Sequence, residues 1–252
     1  MSGTDLCRFS GGANSGPGTT NDRGYDRLVA TAHYDGVADW YDQHFQPSPQ
    51  VVDTVQRLAG PGPGNALDLG CGTGFHLRTL AELGWSVTGV DVSEDQLRVA
   101  RERAGEIADL IQADGANLPF PDGSLELVLS AFTHTDLDDF AGTIREAARV
   151  LAPTGRLVYL GPHPCFVGPH SAFIEAKGVP ELHPGYRTAG RYEADGERVS
   201  PHGIRARVGA VHLPLGTLLQ AFLDGGLRID AFEEPVLPDR EYPYWLALRA
   251  VR

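Results

Sequence analysis

The sequence predicts an α/β fold in which a mostly parallel sheet carries helices on both faces. Three observations predict it. Short apolar runs alternate with helix-spaced segments from about residue 65 onward. The first run, ALDL (66–69), meets a turn with three glycines in five residues. The next two runs reach aspartates, Asp91 and Asp114, at the strand ends where open parallel sheets take their ligands.

The elements follow in order. NALDL (65–69) is a short strand, and TGFHLRTLAELG (73–84) has helical spacing with a glycine stop. WSVTGVDV (85–92) is β-branched and strand-like. SEDQLRVARERAG (93–105) opens on Ser93, a natural N-cap, and Gly105 closes it. ADLIQAD (108–114) and SLELVLSAF (124–132) are the third and fourth strands. DLDDFAGTIREAARVL (136–151) is an amphipathic helix with acids in its first turn, where the helix dipole favours them. GRLVYLG (155–161) is the fifth strand, and PLGTLLQAFLDGG (214–226) is a later helix.

Composition narrows the function classes. With 252 residues the chain has room for one sizeable α/β domain or two small ones. Its net charge of −12 opposes non-specific binding to nucleic acid or anionic membrane. No apolar run reaches the about 18 residues a membrane span needs, and the start lacks a signal-peptide pattern. Cys7, Cys71 and Cys165 are odd in number and far apart, which suits reduced thiols in a cytoplasm. Residues 1–22 are rich in Gly, Ser, Thr and Asn and are expected to be a disordered leader, leaving 23–252 as the domain. Oligomeric state leaves no signal in the sequence.

The turn Gly70-Cys71-Gly72-Thr73-Gly74 follows the first strand. Glycines there strip away Cβ atoms, so a ligand lies against main chain. A plain tight turn with a packing glycine fits the same residues, and Asp114 also fits a solvated turn or cap. Two acids at successive strand ends shift the balance towards a ligand. A nicotinamide dinucleotide needs its pyrophosphate on the helix N-terminus, usually through G-x-G-x-x-G. This chain has G-x-G-x-G instead, and Asp68 stands two residues before the first glycine. An acid repels a pyrophosphate but welcomes an ammonium. S-adenosylmethionine, with an ammonium, a sulfonium, a ribose and no phosphate, suits that rim better.

ALDLGCGTG, GVDVS, QADGANLPFPDGSLELVLS and REAARVLAPTGRLV, in that order, resemble the class I S-adenosylmethionine-dependent methyltransferases, in particular their bacterial small-molecule branch. The likeness spans about residues 25–161 in full. It implies a Rossmann-like sheet of seven strands whose last strand is antiparallel, with GLRIDAFEEP (226–235) and YPYWLALRAVR (242–252) as the final two. It also implies roles. Asp68 and the loop of Gly70, Cys71, Gly72 and Gly74 would hold the methionine end of the cofactor. Asp91 would hold the ribose hydroxyls, with Val92 on the adenine. Asp114, Gly115 and Ala116 would meet the adenine, and Ser130 and Ala131 the methionine portion. Tyr34 and Tyr41, in HYDGVADWYD, match the aromatic segment that covers the cofactor in such enzymes, although ordinary helix packing fits them equally.

The implied reaction moves a methyl group to an oxygen or nitrogen of a small molecule, by in-line displacement with alignment and a histidine general base. His134, just beyond the fourth strand, and His163 and His170, each after a proline, are the candidates. A histidine at these places also fits a cap or a packed turn. Residues 162–213 exceed what a simple sheet needs and are expected to form an inserted substrate lid. Six Lys/Arg against five Asp/Glu give that segment a charge of +1, which suggests an acidic or phenolic acceptor beneath Arg187 and Arg191. The order of His163, Cys165, His170 and His183 matches no structural zinc pattern, so no metal is expected. Two other classes share these motifs: an enzyme that binds the cofactor without transferring methyl, and a non-catalytic sensor of adenosyl ligands.

Overall fold

The computed structural model describes residues 30–174, 179–192, 204–238 and 240–252. The expected leader, residues 1–22, lies outside them. Helices α1 (Ala38–His44) and α2 (Pro49–Ala59) precede the sheet. The chain then alternates β1 (Asn65–Leu69), α3 (Phe75–Glu82), β2 (Ser86–Asp91), α4 (Glu94–Ala104), β3 (Ala108–Gln112), β4 (Leu125–Ala131), α5 (Phe140–Val150) and β5 (Leu151–Pro162). Residues beyond β5 form two small antiparallel pairs, β6 (Ser171–Ile174) with β7 (Val179–Leu182) and β8 (Gly190–Tyr192) with β9 (Ala210–His212). The single turn of α6 (Arg205–Val208) precedes β9, and α7 (Leu215–Asp224), β10 (Arg228–Glu233) and β11 (Trp245–Val251) complete the chain.

Seven strands share one sheet in the order β3-β2-β1-β4-β5-β11-β10. β1 to β5 are mutually parallel, while β11 runs antiparallel to both of its neighbours. The seven-stranded, mostly parallel sheet with an antiparallel last strand is therefore as the sequence predicts.

Strand alternation explains why helices cover both faces. Successive side chains of a strand point to opposite faces. Leu67, Val128, Leu157 and Tyr159 join Ile144 of α5 and Phe222 of α7 on one side. Their neighbours Ala66, Leu127, Leu129, Val158 and Leu160 join residues of α2, α3 and α4 on the other, among them Val55, Leu77 and Leu97. Every inner strand is thus apolar on both faces, as a fully covered parallel sheet requires.

Capping chemistry sets the helix boundaries near the site. The Ser93 hydroxyl accepts from the Gln96 N–H at 3.2 Å and opens α4. Gly105 follows α4 but keeps a right-handed φ of −64°, so it is a stop without the left-handed turn. The expected helix at 136–151 begins later, at Phe140. Its acids precede the helix: the Asp139 carboxylate accepts from Gly142 N–H at 2.8 Å as the N-cap, and Asp136 and Asp138 lie in the loop before it.

Phe222 is fully buried between the rings of Tyr159 and Phe140, with centroids 5.8 and 5.9 Å away. Phe222→Ala should cost about 3–5 kcal/mol in urea unfolding. Leu223→Ala next to it, at a side chain 53% exposed, should stay within about 0.5 kcal/mol. Equal effects at both positions would contradict this packing.

Candidate functional site

The sheet reverses its winding direction at β1, whose neighbours β2 and β4 are reached by crossovers to opposite sides. Ligands of open α/β sheets bind at that switch point, beyond the strand carboxyl ends. A cavity of about 1240 Å³ lies there. It exceeds the roughly 300–1,000 Å³ of pockets that hold one small ligand, and so has room for two.

The cavity floor is the glycine turn. Gly70 and Cys71 donate their N–H groups to the Val90 carbonyl at 2.7 and 3.0 Å, which folds the turn back onto the end of β2. Gly70 has φ +70° and Gly72 has φ +53°, values that favour glycine. A Cβ on Gly70 would also collide with the Thr133 methyl. Both glycines face the cavity, and Cys71 and Gly74 do not: Cys71 is buried in the core, and Gly74 packs against Ala100 of α4.

Asp91 braces this turn. Its Oδ2 accepts from Gly72 N–H and its Oδ1 from Ser93 N–H, both at 2.9 Å. Burial raises its pKa to about 6 in spite of those two bonds. Asp68, below the turn, is raised to about 7 by burial first and by Asp91 second. Among the described residues, Asp68 Oδ2 and both amide atoms of Gln96 are buried with no hydrogen-bond partner. Gln96 lines the cavity, and its two orphaned amide atoms fit a polar ligand that supplies the missing bonds, while Asp68 is not on the cavity wall.

Val92, Asp114, Gly115, Ala116 and Ala131 also line the cavity, as do Tyr34 and Tyr41, whose rings meet edge-on at 5.4 Å. Asp114 uses Oδ1 to accept from Ala116 N–H at 2.8 Å. Ser130 is fully buried and bonded to the Thr133 hydroxyl, outside the cavity wall.

The structure does not bring the three candidate histidines to this cavity. His134 is buried in the core, shares a 2.6 Å hydrogen bond with the Tyr159 hydroxyl, and has its pKa lowered to about 3 by burial. His163 accepts at Nδ1 from Cys165 N–H, which places its proton on Nε2 facing Glu234 at 3.0 Å. His170 donates from Nε2 to the Cys165 carbonyl at 3.1 Å. All three serve packed turns or core. The one histidine on the cavity wall among the described residues is His33, which sequence reasoning missed. It also missed Gln96, Asp136 and Phe132. Phe132, with φ +60°, is the sole non-glycine with positive φ among the described residues. Such strain clusters at functional sites, but no sequence pattern announces it.

Charge is distributed unevenly along the wall. Asp91 and Asp114 have no basic side chain against them among the described residues. Asp136 pairs with Arg205 at 2.6 Å, Asp138 with Arg191 at 3.0 Å and Glu146 with Arg149 at 2.8 Å. Arg191 is therefore already paired with an internal acid, whereas Arg145 lines the cavity with no ion pair among the described residues. Among the described residues no group of three His, Cys, Asp or Glu side chains is arranged to hold a metal ion. No helix there is long and apolar enough to cross a membrane.

The sequence was also compared with known proteins. Residues 67–159 match the family described as Methyltransferase domain. Demethylmenaquinone methyltransferase of Tropheryma whipplei (strain Twist) is 41% identical over 93 residues, covering 36% of this chain and 39% of that protein. The 27-O-demethylrifamycin SV methyltransferase of Amycolatopsis mediterranei is 33% identical over 155 residues, covering 57% and 56%. These matches therefore span from about two fifths to somewhat over half of the relatives' own length. An S-adenosylmethionine-dependent methyltransferase of known structure from Mesorhizobium loti superposes with a TM-score of 0.63 at 27% identity, covering 86% of this chain and 99% of that one.

The raised carboxyl pKa values set a pH dependence. An acid with a folded pKa above its unfolded value, about 4, stabilises the fold fully below that pH. The contribution is lost as pH rises through the folded value, about 7 for Asp68. Between pH 5 and 8, ligand-free wild type should therefore lose more stability than Asp68→Asn, by on the order of 2–4 kcal/mol. Urea unfolding at both pH values reads this. Parallel pH dependence in the two proteins would contradict the buried, unpartnered carboxyl.

Proposed function

We propose that this chain, a class I S-adenosylmethionine-dependent methyltransferase in fold and in the sequence of its central domain, transfers a methyl group from S-adenosylmethionine to an oxygen or nitrogen of a small-molecule acceptor. The observation that carries this reading is the cofactor end of the cavity. A turn whose Gly70 and Gly72 face the cavity is backed there by carboxylates that have no basic partner among the described residues. That is a site for a cationic, phosphate-free ligand.

When bound, the cofactor supplies an electrophilic methyl on a positively charged sulfur. The chain's own residues bind and orient it. Asp68 meets the ammonium end, Asp91 accepts from the ribose hydroxyls while its other lone pairs hold Gly72 and Ser93, and Val92 packs on the adenine. Asp114, Gly115 and Ala116 line the adenine end, Ala131 the methionine portion, and Tyr34 and Tyr41 cover the whole. In-line transfer then rests on alignment and exclusion of water.

The acceptor is a small molecule that can carry an acidic or phenolic group, because Arg145 stands on the cavity wall without an ion pair among the described residues. Where it must lose a proton, His33 is the imidazole within the cavity, in place of His134, His163 and His170. The demethylmenaquinone and rifamycin relatives support a small-molecule acceptor by their names alone. Residues 23–252 then work as one domain, with 162–213 on the acceptor side.

Calorimetric titration tests this reading. Wild type should bind S-adenosylmethionine and S-adenosylhomocysteine and not NAD. Asp91→Ala should weaken both adenosyl ligands by about 2–4 kcal/mol, the value of hydrogen bonds to a charged acceptor. Binding of NAD alone would overturn the cofactor assignment. Unchanged affinity in Asp91→Ala would overturn the ribose contact.

A further inference from the structure

Residues 30–45 cross the mouth of the cavity, with His33, Tyr34 and Tyr41 on its wall. One side of this cover is fastened to α4. Asp35 accepts from the Ser93 hydroxyl at 2.6 Å, Asp95 accepts from Gly36 N–H at 2.9 Å, and Arg103 pairs with Asp42 at 2.6 Å. The other side reaches the loop between β4 and α5 through two side chains. Tyr34 donates its hydroxyl to Asp136 Oδ2 at 3.3 Å, and His33 Nε2 lies 3.7 Å from Asp138 Oδ2.

Those two acids are gripped from beneath by the segment that follows β5. Arg205 donates to Asp136 Oδ1 at 2.6 Å and to the Thr135 hydroxyl at 2.7 Å. Arg191 donates to Asp138 Oδ1 at 3.0 Å and to the Val208 carbonyl at 3.2 Å. The backbone of β9 joins the same loop, since Val211 N–H donates to the Thr135 carbonyl at 2.6 Å. A hydrogen-bonded relay thus runs Tyr34–Asp136–Arg205, and beside it His33 faces Asp138, which Arg191 holds, without a hydrogen bond to His33 Nε2.

We propose that Arg205 and Arg191 are positioning residues that latch the 30–45 cover over the cofactor by holding Asp136 and Asp138 where Tyr34 and His33 meet them. Neither arginine lies on the cavity wall. Arg191 acts through an acid that does, and Arg205 acts through Asp136 and also donates directly to the Tyr34 hydroxyl at 3.5 Å. The latch joins the acceptor-side segment to the cover, so docking one favours closing the other. A hydrogen bond to a charged group is strong only while both partners are held in place, so the relay and the contact beside it lose grip together when an arginine is removed. This role as a cofactor latch rests on the methyltransferase reading.

Hydrogen exchange of the whole 252-residue chain tests it, with and without S-adenosylhomocysteine. Arg205→Met should raise exchange of amides in 30–45 about tenfold and weaken S-adenosylhomocysteine by a similar factor, with the β1, β4 and β5 amides still protected. Arg191→Met should act in the same direction, and Arg205→Lys, which keeps the charge, should recover part of both effects. Unchanged exchange in 30–45 in both methionine variants would overturn the latch. So would a loss of protection throughout the sheet that Arg205→Lys shares in full, because the arginine would then serve the fold alone. Failure of wild type to bind S-adenosylhomocysteine would instead sink the methyltransferase reading, and exchange in 30–45 without ligand would still decide the latch.

Discussion

The carboxylate of Asp91 is the constraint on which the site depends. It stands where β2 ends, and it holds two amides that belong to different elements: Gly72 in the turn after β1 and Ser93 at the start of α4. The turn, the strand end and the helix start are thereby locked to one another by a single side chain. Its burial raises the cost of keeping it charged, and the two N–H donors offset part of that cost. With each oxygen accepting one internal bond, lone pairs remain for a ligand's hydroxyls. The same group therefore builds the cavity floor and reads what lands on it.

Electrostatics then divides the cavity into two ends. Towards β2 and β3 the acids have no cationic partner among the described residues, and a positive ligand gains there. Towards the loop before α5, Asp136 and Asp138 are matched by arginines from outside the wall, and Arg145 adds a cation to the wall itself. Segregation of this kind gives the cavity one end that favours a positive ligand and another that does not. The net charge of the segment after β5 does not locate its cations. Its arginines answer acids of the loop before α5, and the sum over the segment says nothing of where each cation is spent.

Much of the fold was legible because it rests on local patterns. The apolar runs at NALDL and SLELVLSAF, the cap at Ser93 and the glycines at 70, 72 and 74 each state their geometry within a few residues. The aspartates at strand ends followed from the same logic, and the cavity walls at Asp91 and Asp114 are where that logic sets them. That the candidate histidines lie off the cavity wall was not legible, because burial is a property of the assembled core. His134 lies one turn beyond a strand end, yet the loop folds its ring inward against Tyr159. Arg205, Asp136 and Tyr34 were invisible for a related reason. They are separated by 69 and 102 residues in the chain, and no spacing rule connects them.

The most direct measurement of the central claim is the electron density of crystals grown with S-adenosylhomocysteine. The account predicts the ribose hydroxyls on the Asp91 carboxylate and the amino-acid end over the Gly70–Gly72 turn, with Asp68 acquiring the partner its carboxylate lacks. Ligand density elsewhere on the molecule, or an amino-acid end turned away from Asp68, would contradict it.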